Sequence, residues 1–353
     1  MAFPQLLTAG FFLFSLLLIG ASLASPVGFT PLRRPPAPPA ACGCSGKRGA
    51  GVSLNKRINE TLAGSGRRYL LWVPPSYTPR HKTPVIFSFH GANKTPDAQA
   101  DLDLLTTPRF NADHIVVYPS SGEYGENRGR YWQGAPQTPP DVDDVAYVLD
   151  ILDVLESRFC VDIARVYATG KSQGGLMVNN LACDPRSSAR IAAFAPVSGS
   201  YYVNVTGDAC TPLTLPFPNC RPAERRNGRV PTLIFHGGAD VVIPYAGGPR
   251  SGECLPYIPH FAAAWAARDG LDGTPGFVGL LAGAADNATV YEYGDGEGLR
   301  EGEGLVRFVY SGNHVNHQWP ATIPNADSIE YHSAPATFNA SSVIVDFFRK
   351  YTL

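Results

Sequence analysis

The sequence predicts an α/β domain, a mostly parallel sheet flanked by helices on both faces. Three observations predict it. Short apolar runs alternate with helix-period stretches from about residue 45 to the C-terminus, the pattern of strands joined by helical crossovers. The runs are punctuated by glycine or proline and are apolar along their length, as strands covered on both faces must be. And YATGKSQGGL, residues 167–176, reads as a strand entering a tight turn that opens into a helix.

Taken in order, the strand candidates are 68–73 (RYLLWV), 85–89 (VIFSF), 115–118 (IVVY), 165–168 (RVYA), 192–196 (AAFAP), 232–235 (TLIF), 290–293 (VYEY) and 306–310 (VRFVY). Between the third and fourth, 143–160 is the strongest helix pattern, with Val148, Leu152, Leu155 and Phe159 on one face. Asp143 and Asp144 stand at its start, where carboxylates meet the positive end of the helix dipole. Capping, rather than acid/base or metal chemistry, is their expected work. No internal repeat or later linker interrupts the chain, so 45–353 is expected to form one domain.

Two segments of different character precede it. Residues 1–24 carry an apolar run, 11–20, followed by Ser22, Leu23 and Ala24, small where a signal peptidase requires it, although no Lys or Arg precedes the run. The run is short for a membrane span and its sequel is polar and proline-rich, so a cleaved signal is expected rather than an anchor. Residues 25–44 include the dense prolines of PLRRPPAPP, 31–39, a linker or pro-segment that cannot enter a helix or central strand. Seven cysteines, at 42, 44, 160, 183, 210, 220 and 254, suit an oxidising compartment and three disulfides with one cysteine over. Zinc is disfavoured, because Cys42 and Cys44 are too close and no second close pair answers them. Sequons at Asn59, Asn93, Asn204, Asn287 and Asn339 suit an exported glycoprotein. Lys and Arg number 29 against 30 Asp and Glu, so no basic face is advertised and nucleic acid is not an expected partner.

The turn at 170–174 admits two chemistries. Gly170-Lys171-Ser172 imitates the end of a phosphate-binding loop, but that loop needs a glycine where Arg165 stands, and the strand leaves no room for it. Gly170, Ser172 and Gly174 instead spell G-x-S-x-G, a nucleophile elbow between strand and helix. A serine hydroxyl is a poor nucleophile without a base, and the base needs an orienting acid. In an α/β-hydrolase fold both follow the serine, on loops after later strands. HGGADVVIPY places Asp240 after the strand 232–235, and SGNHVNHQWP places His317, with His314 as competitor, after the strand 306–310. The Trp-Pro that follows favours His317. Backbone amides for an oxyanion are expected from Gln173 and from Ala92, in FSFHGAN after the strand 85–89. His90 and His236, each before a glycine at a strand end, read as loop organisers. The set requires no metal and no cofactor.

RYLLWVPPSY, VIFSFHGAN, YWQGAP, DDVAYVLDILDVLESRFCVDIARVYATGKSQGG and AAFAPVSGSYY resemble the fungal feruloyl esterases of carbohydrate esterase family 1, relatives of secreted polyhydroxybutyrate depolymerases. The resemblance covers about residues 45–350 and is specific from Phe159 to Gly175. It implies an α/β-hydrolase catalytic domain with Ser172 as nucleophile, His317 as base and Asp240 as acid. The substrate it implies is the ester of ferulic or a related hydroxycinnamic acid to arabinose in cell-wall xylan or pectin. One departure is GNHVNHQWP, less regular than the family's glycine-rich approach to the histidine. Two further secreted esterases fit the same scaffold: an acetyl xylan esterase, with a small acyl pocket, and a polyester depolymerase, with an open hydrophobic shelf. A catalytically silent carbohydrate-binding relative is disfavoured because all three triad positions are filled. A secreted monomer is expected, free of the membrane once the signal is removed.

Trp132 and Trp319, with Tyr131, are candidates to stack on sugar or phenolic rings. Lys171 is expected to pack or to face solvent rather than to serve as base, since neighbours on an elbow point apart. YGDGEGLREGEGL, 293–305, suggests calcium, but the fifth position from Asp295 is Leu299, so a mobile surface hairpin is expected instead. A glycan on Asn93 would crowd Ala92, and Pro96 follows the sequon, so Asn93 is expected to be unmodified while Asn59, Asn204, Asn287 and Asn339 remain candidates.

Overall fold

In the computed structural model, which describes residues 51–353 apart from 218, 225–228, 286, 287 and 297, the apolar runs become neighbours in one sheet. Its strands are β1 (Arg57–Thr61), β2 (Arg68–Trp72), β3 (Thr83–Phe89), β4 (Ile115–Pro119), β7 (Val161–Lys171), β8 (Ala193–Val197), β9 (Thr232–His236), β12 (Phe277–Leu280), β13 (Thr289–Tyr293) and β14 (Val306–Tyr310). Two small hairpins stand apart, β5 with β6 (Gly122–Tyr124 and Gly129–Tyr131) and β10 with β11 (Gly248–Arg250 and Glu253–Leu255). The sheet order is β1-β2-β4-β3-β7-β8-β9-β14-β13-β12. From β4 to β14 the strands are parallel, and antiparallel strands extend both edges. This is the mostly parallel sheet the sequence predicts, and all described residues belong to one compact unit.

The helices are α1 (Pro96–Asp103), α2 (Asp144–Arg158), α3 (Gln173–Cys183), α4 (Pro185–Ser188), α5 (Ile258–Arg268), α6 (Ala326–Glu330) and α7 (Ala340–Phe348). Side chains alternate along a strand, so Val85, Phe87 and Phe89 of β3 enter the core with residues of α2, α3 and α5, while Ile86 enters the one shared with α1 and α7. Every residue of β3, β4, β8 and β9 is buried, which is why these strands read as continuous apolar runs.

Asp143 caps α2, accepting from the Ala146 amide at 2.9 Å, but Asp144 does something different. It is fully buried, pairs with Arg67 and accepts from the Gln133 amide at 2.7 Å, tying the helix to the β2 edge and to the loop beyond Trp132. The connection 294–305 is a hairpin between β13 and β14, as expected, but it is pinned rather than free. The buried Glu292 accepts from the amides of Gly302 and Gly304, each at 2.6 Å, and pairs with Arg307 at 2.9 Å. Asp295 pairs with Arg229, and no cluster of metal-ligating side chains occurs among the described residues.

Disulfides join Cys183 to Cys220 and Cys210 to Cys254, and Cys160 is disulfide-bonded as well. Residues 1–24, read above as a signal, the segment 25–44 with its two cysteines, and Asn287 lie outside the described residues. Asn59 and Asn204 are exposed, whereas the Asn339 side-chain Oδ1 accepts from the Thr322 amide at 3.1 Å and its sequon partner Ser341 is buried. Among the described residues, no helix is long and apolar enough to cross a membrane.

Candidate active site

β7 runs to Lys171 and α3 begins at Gln173, which leaves Ser172 alone at the corner with φ 58° and ψ −119°. A non-glycine residue there stores about 1–3 kcal/mol of strain and is held only by its surroundings. The Ser172 amide donates to Val197 O at 2.9 Å, and Ser172 O accepts from the amides of Leu176 and Ser200. The flanking glycines make the corner possible. A Cβ on Gly174 would lie 2.1 Å from Phe89 O, and one on Gly170 would lie 2.7 Å from Gly174 O, so helix, β7 and β3 close on each other only without side chains at these positions. Gly174→Ala is expected to destabilise the fold by about 3 kcal/mol through this collision with backbone. An unchanged urea midpoint would place the helix farther from β3 than it stands here.

Asp240 follows β9 and His317 follows β14, and the two meet. His317 Nδ1 lies 2.8 Å from Asp240 Oδ2, while Asp240 Oδ1 accepts from the amides of Val242 (2.9 Å) and Ile243 (2.7 Å). An ionised carboxylate only accepts, so Nδ1 carries the hydrogen and Nε2 of the neutral ring is left to take a proton. Burial works to raise the Asp240 carboxyl, but His317, His236 and the Ile243 amide together outweigh it and hold the group below its ordinary value. Burial, reinforced by the nearby Lys171 ammonium, pushes the His317 imidazole down to about 4 against the pull of Asp240.

The acid and base loops are stitched to one another along their length. Gly238 N donates to Gly312 O and Ala239 N to Val315 O, each at 3.0 Å. A Cβ on Gly237 would meet Val315 O at 2.1 Å. Asn316 Oδ1 accepts from both Val241 N (3.0 Å) and His317 N (2.7 Å), so a single amide side chain fixes the residues beside the acid and the base. His314 faces elsewhere, its Nε2 3.2 Å from Pro335 O.

Ser172 ends the neighbouring part of the same sheet edge, and among the described residues no hydrogen bond joins its hydroxyl to His317. Such contacts often tighten only when substrate binds. Neither the Ala92 nor the Gln173 amide has a protein acceptor among the described residues, and a Cβ on Gly91 would sit 3.4 Å from Ser172 Cβ, so the turn that carries Ala92 abuts the serine. A strained serine, an acid-bound imidazole and two free amides form an arrangement suited to acyl transfer.

No protein-family model matches the chain. Its sequence is 28% identical over 184 residues to a bifunctional acetylxylan esterase/xylanase of Neocallimastix patriciarum, a match covering 52% of this chain and 22% of that protein. It is 28% identical over 225 residues to feruloyl esterase C of Emericella nidulans, covering 62% of this chain and 68% of that one. The chain is similar to fungal feruloyl esterases. It spans 22%, 31% and 64% of the length of the first three curated relatives it matches. The solved acetyl xylan esterase from Aspergillus awamori superposes with a TM-score of 0.53 at 17% identity, covering 78% of this chain and 97% of that one. The fold is that of an α/β-hydrolase.

The expectation that Trp132 and Trp319 stack on sugar or phenolic rings needs correction, because both indoles are fully buried. Trp132 packs edge-on against Phe89 and donates Nε1–H to His90 O at 2.8 Å, and Trp319 donates to Ser341 Oγ at 3.0 Å, so both indoles are consumed in packing the site's supports. Tyr131, in β6, is only half-buried. His90 and His236 are buried: His90 Nε2 accepts from Ser121 N and its Nδ1 donates to Gly91 O, which fixes the oxyanion turn, and His236 Nε2 lies 2.8 Å from Ile243 O. Burial pushes His90 down to about 4, which suits a structural imidazole. The Asn93 side-chain Oδ1 accepts from Arg130 N at 3.0 Å. Sequence reasoning missed Asn316, although it directly precedes His317. Of the two roles expected for Lys171, packing or facing solvent, it takes the first, buried against Asp327, a partner the sequence did not reveal.

Proposed function

We propose that this protein is a secreted serine esterase that hydrolyses hydroxycinnamoyl esters of plant cell-wall polysaccharide, feruloylated arabinoxylan or pectin, without metal or cofactor. The observation that carries the proposal is the 2.8 Å pairing of His317 Nδ1 with Asp240, on the sheet whose β7–α3 corner holds Ser172 at φ 58°. Ser172 Oγ attacks the ester carbonyl as His317 Nε2 takes its proton, Asp240 stabilises the imidazolium, and the Ala92 and Gln173 amides receive the oxyanion. Each oxyanion donor is worth a factor of about 10²–10³ in kcat. The sugar alcohol departs with the proton from His317. Water, activated by the same ring, then adds to the acyl-enzyme and releases the acid.

The names of the sequence relatives support this substrate class, and the disulfide-bonded cysteines support export into an oxidising compartment. A second reading is an acetyl xylan esterase, favoured by the bifunctional relative and by the solved structure that shares the fold. Initial rates on methyl ferulate, methyl sinapate and acetylated xylan separate the two. Preference for a hydroxycinnamate is expected, and preference for acetyl esters would keep the site and replace the acyl group.

A further inference from the structure

Lys171 immediately precedes the nucleophile, and the mechanism above makes no use of it. Its side chain is 5% exposed, an environment in which an ammonium needs a counter-ion. Asp327 supplies one: Nζ lies 3.3 Å from Asp327 Oδ1, and that carboxylate is itself 5% exposed. Asp327 Oδ2 accepts from Trp319 N at 2.9 Å, two residues beyond the base. Nζ also stands 5.1 Å from the centre of the Tyr331 ring, which meets the His317 ring edge-on at 5.4 Å. On its other side the Lys171 stem supports the oxyanion turn, with Cδ 3.9 Å from where a Cβ of Gly91 would lie. A cavity of about 60 Å³, large enough to hold water, is bordered by Gly91, Gln99, Lys171 and Asp327.

We propose that Lys171 is a positioning residue of this site: paired with Asp327, it joins the strand of Ser172, the turn of Ala92 and the loop of His317 into one assembly and sets the field at the base. This rests on the esterase reading above. A buried ion pair contributes little to stability compared with apolar side chains of the same volume, so stability alone does not account for one at this point. Nor does Lys171 act as base, because its ammonium already faces Asp327 and Tyr331.

The groups facing His317 are Asp240 from the loop after β9, Lys171 from β7, and Asp327 and Tyr331 from α6 and its end, with His236 beside Asp240 and Glu330 acting on Lys171. Burial and Lys171 lower the affinity of the ring for a proton, while Asp240 and Asp327 raise it, and the balance lies at about 4. A general base must be unprotonated, so kcat/KM is lost as pH falls through this value and is retained above it. Removing the Lys171 charge takes away one of the two lowering influences, so the loss moves to higher pH.

The test combines the acid limb of kcat/KM on methyl ferulate with an NMR titration of the His317 ring, in the unmodified protein, Lys171→Met and Lys171→Arg. In the unmodified protein both should fall near 4. Lys171→Met should raise both by about one pH unit or more and lower kcat more than it changes KM, while Lys171→Arg, which keeps the charge, should stay near the unmodified values. A folded Lys171→Met with an unmoved limb and unmoved titration overturns the proposal. So does a His317 that titrates at its ordinary value of about 6.5 in the unmodified protein, a measurement that needs no variant to fold. The two readings fail separately. An active esterase indifferent to Lys171 removes the positioning role and keeps the activity, whereas a protein that cleaves no ester but whose His317 responds to Lys171 removes the activity and keeps the coupling.

Discussion

Ser172→Ala should abolish ester hydrolysis, with kcat reduced by about 10⁶-fold, the scale on which a serine hydrolase loses turnover when its nucleophile is removed. The fold should survive, for reasons visible at the corner. The Ser172 hydroxyl makes no hydrogen bond among the described residues, and the strained backbone is held by main-chain bonds to Val197, Leu176 and Ser200 that alanine retains. Alanine at this φ suffers the same strain as serine, so little new penalty arises. Turnover of methyl ferulate, followed beside the thermal transition by circular dichroism, checks both halves. Turnover by the variant at more than a hundredth of the parent rate would mean that the nucleophile is another residue.

Asp240→Asn should lower kcat by about 10⁴-fold with little change in KM. The geometry dictates which way the amide turns. Oδ1 receives the Val242 and Ile243 amides, so the asparagine oxygen must stay on that side and its NH₂ must face His317. A donor now meets Nδ1, which becomes the acceptor, and the hydrogen moves to Nε2. The ring then presents a proton to Ser172 where it has to remove one. Single-turnover kinetics with a chromogenic ester resolve the acylation step, and an unaltered acylation rate would show that the Asp240 charge has no part in orienting the base.

The central strands were legible because burial on both faces leaves a continuous apolar run, and β3, β4, β8 and β9 have no exposed residue. The edge strands β1 and β12 were not, because they are short and half-solvated: RINET holds a single apolar residue, and FVGL is only four residues long, broken by a glycine, with Val278 and Leu280 facing solvent. Ser172, Asp240 and His317 could be singled out because each follows its own strand, so local pattern marks its place before any tertiary contact is known. The surroundings of the site were illegible for the opposite reason. Trp132 and Trp319 carry the same chemistry whether they face a ligand or the core, and only the fold decides. Asp327 lies 156 positions from Lys171, the difference 327 − 171, and no local pattern links an ammonium to a counter-ion that far along the chain.

The order β7-β8-β9-β14 has a geometric consequence for the base. Neighbouring strands stand about 4.8 Å apart, so the strand that launches His317 lies roughly 14 Å from the one that ends at Ser172. The imidazole must therefore be carried sideways across the ends of two intervening strands, as by a cantilever. Such an arm is accurate only if it is braced along its span. Gly237, Gly238 and Ala239, against whose backbone the arm rests, are the bracket, and the missing side chain at Gly237 sets how low the arm can lie. The position of the His317 imidazole thus depends on backbone shape at a place remote from Ser172 in the sheet order.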